Sequence, residues 1–220
     1  MSTAAFHPEI DPAMKFPSTP EGVPPLDADG APGNPLNLMR QWISYVLDIG
    51  AVEPLYVTLA TASKDGAPSS RTVHLLDVED DAVRFTTNFG SRKGVEMTET
   101  GRAAVSLYWR ETAQSINFTG DVVVASDEES DARFAEEHRK TQASRVVSFH
   151  GLDLRDPQAQ VREFEELVAA PEPIARPDYW KYFRIVPDAV TFWEGHPESL
   201  NRRIHYTRTD GTWRHGWIQA

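Results

Sequence analysis

The sequence predicts a mainly β protein with several helices, in which short antiparallel strands form a barrel or a sandwich. Between residues 55 and 126, five segments rich in β-branched and aromatic residues follow one another, separated by turns that contain Asp, Gly or Ser. Strand-like segments return after residue 180, and a helical stretch lies between the two groups. The sequence contains no internal repeat. We interpret the helical stretch as an insertion within one β domain and not as a separate domain.

The composition excludes several classes of function. The chain has 220 residues and no cysteine, so it has no disulfide framework, thiolate metal site or cysteine nucleophile. Its net charge of −11 makes nucleic acid and anionic lipid poor partners. No apolar run approaches the roughly 18 residues of a membrane span, and the first ten residues do not resemble a signal peptide. We therefore expect a soluble, cytoplasmic protein.

Residues 1–34 are predicted to form an extended, proline-rich arm. Eight of the 16 prolines fall within residues 1–35, and proline blocks both helices and sheet ladders. The segment is either disordered or an arm that lies over a partner subunit or a site.

The remaining elements follow from local signals along residues 35–220. Asn34-Pro35 is a helix start, and Gly50 ends the apolar periodicity that follows it. Strands are predicted at 55–62, 70–78, 83–87, 103–109 and 115–125, with a turn at 64–66. Helices are predicted at about 127–140, 141–148 and 156–169, so the insertion covers about 127–170. The C-terminal strands, within 180–220, are predicted at 182–186, 190–193, 203–207 and 212–218.

Residues 86–93 carry the clearest local signal for a binding site. A strand ending in Thr86 and Thr87 is followed by a Gly-Ser turn and then by Arg92 and Lys93 at a predicted helix start. Turn amides, the Ser91 hydroxyl and a helix N-terminus favour an anion, and the two cations neutralise it. A solvated basic turn accounts for these residues equally well.

Arg71 is the second candidate for binding an anion. It begins an otherwise apolar strand, where a buried guanidinium requires an anionic partner. That partner is either a carboxylate of the protein or a ligand phosphate. If Arg71, Arg92 and Lys93 converge, a dianionic phosphate suits the point at which they meet.

The C-terminal segment offers an aromatic residue and cations. Trp193 is a candidate to cover a planar ligand, although a core tryptophan is an equally good interpretation. Arg202 and Arg203 begin the last hairpin, where exposed charge on an edge strand is the alternative. The seven histidines lack metal-ligand spacing, so we predict no metal site.

Taken together and in this order, these segments resemble the pyridoxamine 5′-phosphate oxidase family of flavin proteins. The resemblance extends from about Pro35 to the C-terminus, and the segment Leu-Tyr-Trp-Arg-Glu-Thr at 107–112 resembles in particular the flavin oxidases of phenazine biosynthesis. The firmest segments are 71–76, 85–93, 192–195 and 201–206.

The resemblance implies a split β-barrel homodimer that binds FMN at the subunit interface. Residues 35–220 would then form a single FMN-binding domain. The cofactor-binding residues that it implies are Arg71, Thr72, Val73, His74, Thr86, Thr87, Ser91, Arg92, Lys93, Gln114, Ser115, Trp193 and Arg203. The alignment is loose at His150-Gly151, so no contact is assigned there.

The expected substrate side departs from the family pattern. A lysine and an arginine that bind the substrate phosphate in the family's vitamin B6 oxidases fall on Leu76 and Glu137. Ser199 and Asn201 replace an Arg-x-His motif, and Arg133 or Arg139 would compensate for the lost cations. These four residues, Arg133, Arg139, Ser199 and Asn201, are the predicted substrate-binding residues.

We therefore expect an FMN-dependent oxidase or dehydrogenase. It would transfer a hydride from a planar, partly reduced cyclic metabolite to FMN, with O₂ as the acceptor of the electrons. One alternative is a true pyridoxine or pyridoxamine 5′-phosphate oxidase with a rearranged pocket. A second is a cofactor-binding barrel without oxidase activity. No catalytic acid or base is predicted.

Overall fold

Eight antiparallel strands form the sheet in the computed structural model, which describes residues 18–196 and 199–219. The strands are β1 (Tyr56–Ala62), β2 (Pro68–Val78), β3 (Val83–Asn88), β4 (Arg102–Trp109), β5 (Gln114–Val124), β6 (Trp180–Glu194), β7 (Arg202–Thr209) and β8 (Thr212–Ile218). Their hydrogen-bonded order is β3-β2-β1-β4-β5-β6-β7-β8, and an additional β3–β6 pairing closes the first six into a barrel. The expectation of a mainly β protein is confirmed, and the structure chooses the barrel over the sandwich.

Five helices accompany the barrel in the described part of the chain: α1 (Pro35–Asp48), α2 (Arg92–Thr100), α3 (Asp127–Glu136), α4 (Arg139–Val147) and α5 (Pro157–Ala169). The start of α1 is as predicted, because the Asn34 side chain caps the amide of Leu36 and proline occupies the first helical position. The first inserted helix ends earlier than predicted. Glu137 is extended and the His138 side chain caps the next helix, which divides the stretch at 137–138 instead of 140–141.

The two strands predicted at 182–186 and 190–193 are one continuous strand, β6. Along one edge β6 pairs with β5, and along the other it pairs first with β3, up to Ile185, and then with β7, from Ala189. Pro187 lies in the gap between these two neighbours, beside a register shift at Gly120. A proline without an N–H is tolerated there because no ladder bond is required on that edge. The break predicted at 187–189 is therefore wrong.

The core fills the barrel and the space beneath α1. Buried side chains from several strands meet inside it, among them Leu59, Phe85, Ile116, Phe183, Ile185, Phe192 and Ile204. Helix α1 joins this core through Trp42, whose ring meets Phe192 edge-on at a centroid distance of 5.2 Å. The apolar face of α1 therefore covers one side of the barrel.

The described part of the predicted arm, residues 18–34, has no regular helix or strand but packs on the C-terminal strands. The Leu26 amide donates to the buried Glu194 carboxylate at 2.7 Å, and the Tyr206 hydroxyl donates to the carbonyl of Pro32 at 3.0 Å. Leu26 itself is buried in the core. Residues 1–17 lie outside the described residues, and the division into arm and barrel stays a prediction.

Within the described residues, none of the helices combines the length and the apolar character needed to cross a membrane.

Candidate functional site

A cleft of about 410 Å³ lies where β2, β3 and the beginning of α2 meet the end of α4. We call it the β2–β3 cleft. Its lining residues are Tyr56, Arg71, Thr72, Val73, His74, Leu76, Thr86, Thr87, Lys93, Arg145 and His150. Seven of the thirteen predicted cofactor-binding residues are therefore gathered in one place: Arg71, Thr72, Val73, His74, Thr86, Thr87 and Lys93.

The predicted turn and helix start at 90–93 form one end of this cleft. Ser91 is the N-cap of α2: its side chain accepts from the Gly94 amide, and its hydroxyl donates to the carbonyl of Asn88 at 2.6 Å. The hydroxyl thus has a structural role as the helix cap, and it also lies 3.4 Å from the Lys93 amine. Burial, followed by the charge of Arg71, lowers the pKa of Lys93. The amine therefore faces a desolvated, positively charged environment, which favours an anion.

The Arg71 guanidinium is held by the protein on its terminal nitrogens. Nη1 donates to the carbonyl of Leu59 at 3.2 Å and to Oγ1 of Thr61 at 2.7 Å. Nη2 donates to Oγ of Ser69 at 2.6 Å and to Oε2 of Glu96 at 3.4 Å. Of the two partners considered for this arginine, the described chain therefore supplies a carboxylate. The guanidinium still lines the cleft, as a fixed positive charge.

Glu96 is a functional candidate that the sequence analysis missed. It is 4% exposed and lies between two arginines, accepting from Nε of Arg92 at 2.7 Å as well as from Arg71. Burial raises the pKa of its carboxyl, but hydrogen bonds from Ser69, Thr61 and Arg92 outweigh burial and bring that pKa down to about 2. Arg92 is paired in this way beside the cleft and does not line it.

Two further residues, Arg145 and His150, line the cleft, and Arg145 adds a positive charge to it. Nδ1 of His150 lies 3.4 Å from the Lys93 amine, so the loop whose contacts the sequence left unassigned reaches the cleft. Burial lowers the pKa of His150, and the charges of Lys93 and Arg145 lower it further. The pKa of His74 is lowered by burial and then by Arg145. Burial first, and then the nearby cations, therefore hold both histidines towards the neutral form.

The cleft fits a ligand that carries an anionic group and several hydrogen-bonding groups. Arg71, Lys93 and Arg145 bring three cations to its lining, although the protein as a whole carries a net charge of −11. The hydroxyl oxygen of Thr87 is buried and has no hydrogen-bond partner among the described residues. A buried hydroxyl without a partner costs free energy unless a ligand or water supplies one. The phosphate of FMN would supply negative charge to these cations, and its polyol chain would supply hydrogen-bonding partners.

Three further predicted residues, Ser115, Trp193 and Arg203, form a row with Tyr108 across the outer face of the sheet. Tyr108, Ser115, Trp193 and Arg203 lie directly opposite one another on four neighbouring strands, and we call them the Trp193 row. The rings of Tyr108 and Trp193 are 6.5 Å apart. Trp193 is only half-buried and lies outside the core, so the alternative of a core tryptophan is wrong. Strand β7 lies between β6 and β8, so Arg203 is not on an edge strand.

Gln114 lies apart from both groups. It precedes Ser115 on β5, so its side chain points to the opposite face of the sheet. It is 2% exposed and lines a different cavity, of about 200 Å³, beneath the segment that contains Pro24. One chain therefore places Ser115, and not Gln114, beside Trp193.

The β2–β3 cleft and the Trp193 row lie towards opposite ends of β6. Thr87 pairs with Lys181 near the beginning of that strand, whereas Ser115 pairs with Trp193 near its end. Lys181 and Trp193 are twelve positions apart, which corresponds to about 40 Å along a strand at roughly 3.3 Å per residue. The described residues of one chain therefore do not bring the two groups together.

The four predicted substrate-binding residues fall in three places. Arg133 lines a neighbouring pocket of about 460 Å³ that shares Leu76 with the β2–β3 cleft, and its guanidinium donates to Glu136 at 2.9 Å. Ser199 and Asn201 lie between β6 and β7, near the Trp193 row, and Asn201 Oδ1 accepts from the amide of His196 at 3.1 Å.

Arg139 requires a correction. Its guanidinium donates to the carbonyl oxygens of Leu167, Val168 and Glu172, at 2.6, 3.0 and 3.0 Å respectively. Those carbonyls lie at the end of α5 and just beyond it, where helix carbonyls lack intrahelical partners. Arg139 thus caps α5 and does not line the cleft.

The missed residues differ in how far the sequence could have revealed them. Glu96 is four residues after Arg92 on a helix, a spacing that places the two side chains together. Arg145 and His150 reach the cleft only through the packing of the insertion, and no local pattern marks them. No group of His, Asp or Glu able to hold a metal occurs in the described residues.

Comparison with known proteins identifies two family matches. A family model described as "Pyridoxamine 5′-phosphate oxidase" matches residues 50–169, and one described as "Pyridoxine 5′-phosphate oxidase C-terminal dimerisation region" matches residues 180–220. The second match contains both Trp193 and Arg203, and it indicates a homodimer.

Individual relatives agree with these matches. A dihydrophenazinedicarboxylate synthase from Pseudomonas chlororaphis is 33% identical over 188 residues, which are 86% of this chain and 85% of the relative. A pyridoxine/pyridoxamine 5′-phosphate oxidase from Paraburkholderia phymatum is 34% identical over 193 residues, 87% of this chain and 90% of the relative. The crystal structure of PhzG from Burkholderia lata 383, in complex with tetrahydrophenazine-1-carboxylic acid, superposes with a TM-score of 0.84 at 33% identity, covering 87% of this chain and 95% of that one.

Proposed function

Because the chain belongs to the pyridoxamine 5′-phosphate oxidase family and is an oxidoreductase of that family, we propose that it binds FMN in the β2–β3 cleft and oxidises a planar, partly reduced cyclic metabolite. The observation that carries the proposal is the convergence of Arg71, Lys93 and Arg145 on a cleft that is also lined by Thr87, whose buried hydroxyl has no partner among the described residues.

The residues of the cleft divide into a phosphate end and a ring side. Lys93, at the beginning of α2, would hold the phosphate together with the helix N-terminus, and Arg71 would add a fixed charge. The hydroxyls of Thr86 and Thr87 would bond to polar atoms further along the ligand. Thr72, Val73 and His74 would line the flavin, with the ring of Tyr56, 5.1 Å from that of His74, beside them. When bound, FMN supplies the redox chemistry by accepting a hydride from a carbon of the substrate.

The complete site would be shared between two subunits. The Trp193 row is remote from the β2–β3 cleft of its own chain, yet two of its members, Trp193 and Arg203, lie within the region that matches a dimerisation region. A dimer with twofold symmetry would allow Trp193, Ser115 and Arg203 of one subunit to complete the cleft of the other. Ser199 and Asn201, next to this row, would then face the substrate.

The substrate would be a reduced ring system that does not carry a phosphate ester. Leu76 lines the cleft where the family's vitamin B6 oxidases have a lysine, and Glu137 takes the place of an arginine. The Glu137 side chain is 8% exposed and pairs with Arg145 at 3.5 Å, which partly neutralises that cation. Two relatives also support a reduced ring substrate. One is a dihydrophenazinedicarboxylate synthase, and the structure of the other contains tetrahydrophenazine-1-carboxylic acid. O₂ is the proposed acceptor of the electrons.

Purified protein reconstituted with FMN tests this proposal directly. A partly reduced phenazine carboxylic acid and pyridoxamine 5′-phosphate would be supplied separately, with O₂ consumption and H₂O₂ formation measured for each. We expect turnover with the phenazine compound and little with the phosphate ester. The reverse preference would establish the alternative activity, a pyridoxamine 5′-phosphate oxidase. A protein that fails to bind FMN would overturn the proposal as a whole.

A further inference from the structure

We propose that Glu96 is a positioning residue that fixes Arg71 at the phosphate end of the β2–β3 cleft and Arg92 beside that end. The inference rests on the proposed function, because it concerns how the chain holds the phosphate of FMN. Glu96 does not line the cleft. It would act through the two arginines and not on the ligand itself.

Two hydroxyl groups link Glu96 to Arg71. The hydroxyls of Thr61 and Ser69 each donate to Oε2 of Glu96 at 2.5 Å. The same two oxygens accept from Arg71, at 2.7 and 2.6 Å. A hydroxyl has one proton and two lone pairs, so donating to the carboxylate leaves its lone pairs available to the guanidinium. The carboxylate therefore sets the direction of both hydroxyls.

This network restricts Arg71 to one orientation. Nη1 donates its two protons to Leu59 and Thr61, and Nη2 donates its two protons to Ser69 and Glu96. Only the Nε proton lacks a partner in this network, while the side chain remains one-fifth exposed and lines the cleft. Arg71 is thus preorganised as a fixed charge, and such preorganisation reduces the entropy lost on binding.

The other carboxylate oxygen of Glu96 holds Arg92. Oε1 accepts from Nε at 2.7 Å, which leaves the terminal nitrogens of this 67% exposed side chain for other partners. Burial lowers the pKa of Arg71, Glu96 opposes that shift, and the charge of Arg92 adds to it, so the two cations are close enough to repel each other. A carboxylate between them allows both to remain charged and close together. Positioning and charge neutralisation therefore come from one buried group.

Two other roles for Glu96 predict different results. If the carboxylate only opposes the phosphate charge, its removal strengthens the binding of FMN. If it only supports the packing of α2, its removal weakens FMN and riboflavin equally, because the two ligands share the ring and polyol but riboflavin lacks the phosphate.

The test compares the two ligands on apoprotein. Dissociation constants for FMN and riboflavin would be measured by quenching of flavin fluorescence for the wild type, Glu96→Gln and, as a control, Glu99→Gln, an exposed carboxylate on the same helix. Gln keeps the size of Glu96 but lacks the charge that holds Arg92. We expect FMN affinity to fall roughly ten-fold or more in Glu96→Gln, with riboflavin affinity unchanged and Glu99→Gln behaving as the wild type.

A second variant tests the same link between Glu96 and Arg71 if Glu96→Gln does not fold. Ser69→Ala retains the Glu96 charge and removes one hydroxyl of the link, and Ser70→Ala, its exposed neighbour on β2, is the control. Positioning predicts a selective loss of FMN affinity in Ser69→Ala alone. FMN affinity that is unchanged or increased, or an equal loss for both ligands, would refute the positioning role. A wild type that binds FMN no better than riboflavin would instead remove the proposed phosphate site itself.

Discussion

The amine of Lys93 lies 3.4 Å from Nδ1 of His150, although the two residues are 57 positions apart in the chain. This contact joins the beginning of α2 to the loop after α4 and closes one end of the β2–β3 cleft. The helical insertion therefore contributes to the same site as the barrel. The contact also places Lys93 where an anionic ligand would meet it.

Replacing Lys93 by alanine should weaken FMN selectively. A charge-assisted bond to phosphate is worth about 1.5–3 kcal/mol, so we expect a loss of roughly 10- to 150-fold in FMN affinity. Riboflavin affinity, measured by the same fluorescence titration, should be unchanged. Lys64→Ala is the matched control, because Lys64 is an exposed lysine in the β1–β2 turn. Equal FMN affinity in Lys93→Ala and the control would mean that the phosphate lies elsewhere.

Mixed dimers test whether the site is shared between subunits. Lys93→Ala damages the β2–β3 cleft, and Trp193→Ala damages the Trp193 row, so each homodimer should hold FMN poorly. In a heterodimer of the two variants, a shared arrangement leaves one site with both defects and the other with none. Purified heterodimers carrying two different affinity tags should then bind FMN tightly at roughly half of their sites.

The contrary result is equally clear. If each site is built within one chain, both sites of the heterodimer carry one defect, and no tight binding returns. A heterodimer of Lys93→Ala with wild type is the control for the titration, because under either arrangement it retains one intact site.

Glu96 should make the stability of the protein depend on pH in acid. Its pKa is about 2 in the folded chain, against an ordinary value of 4.5, so the unfolded chain takes up a proton first as the pH falls. The free energy of unfolding therefore decreases from about pH 4.5 towards pH 2, and protonation of this carboxyl contributes to the decrease. Urea unfolding at pH 5, 4 and 3 should show a shallower pH dependence for Glu96→Gln than for the wild type. Parallel curves would contradict the low pKa.

Arg139→Met should lower stability without altering substrate binding. The variant loses three hydrogen bonds to carbonyls at the end of α5, and we expect the free energy of unfolding to fall by about 1–3 kcal/mol. Thermal unfolding and the KM for the compound that the enzyme oxidises would be measured side by side. Lys140→Met, at an exposed neighbouring position, is the control. A raised KM with unchanged stability would restore Arg139 to the substrate site.

Local patterns predicted most of the barrel because its strands have strong local signals. The turn at 64–66 and the cap at Asn34 each fix an element boundary through a few neighbouring residues. Local patterns do not reveal the continuity of β6, because a proline such as Pro187 normally interrupts a strand. It is tolerated here only because β3 and β7 leave a gap beside it, which is a property of the tertiary structure.

The site was predicted in part for the same reason. Arg71 and Lys93 belong to short motifs, and the structure places both in the β2–β3 cleft. Arg145 and His150 reach it by way of the insertion, whose packing no local pattern reveals. Arg139 shows the converse, since its charge suggested a ligand but the nearest acceptors are the backbone carbonyls at the end of a neighbouring helix.

The uninterrupted course of β6 limits how the chain can change. The strand pairs with β3 beside the β2–β3 cleft near its beginning and carries Trp193 near its end. Its length therefore fixes the distance between the cleft and Trp193. Side chains alternate along it, and gaining or losing one residue would turn every later side chain to the opposite face. Trp193 and its neighbours would then point into the barrel. Changes in the length of this strand are therefore compatible with the fold only in steps of two, or where a β-bulge accommodates the extra residue.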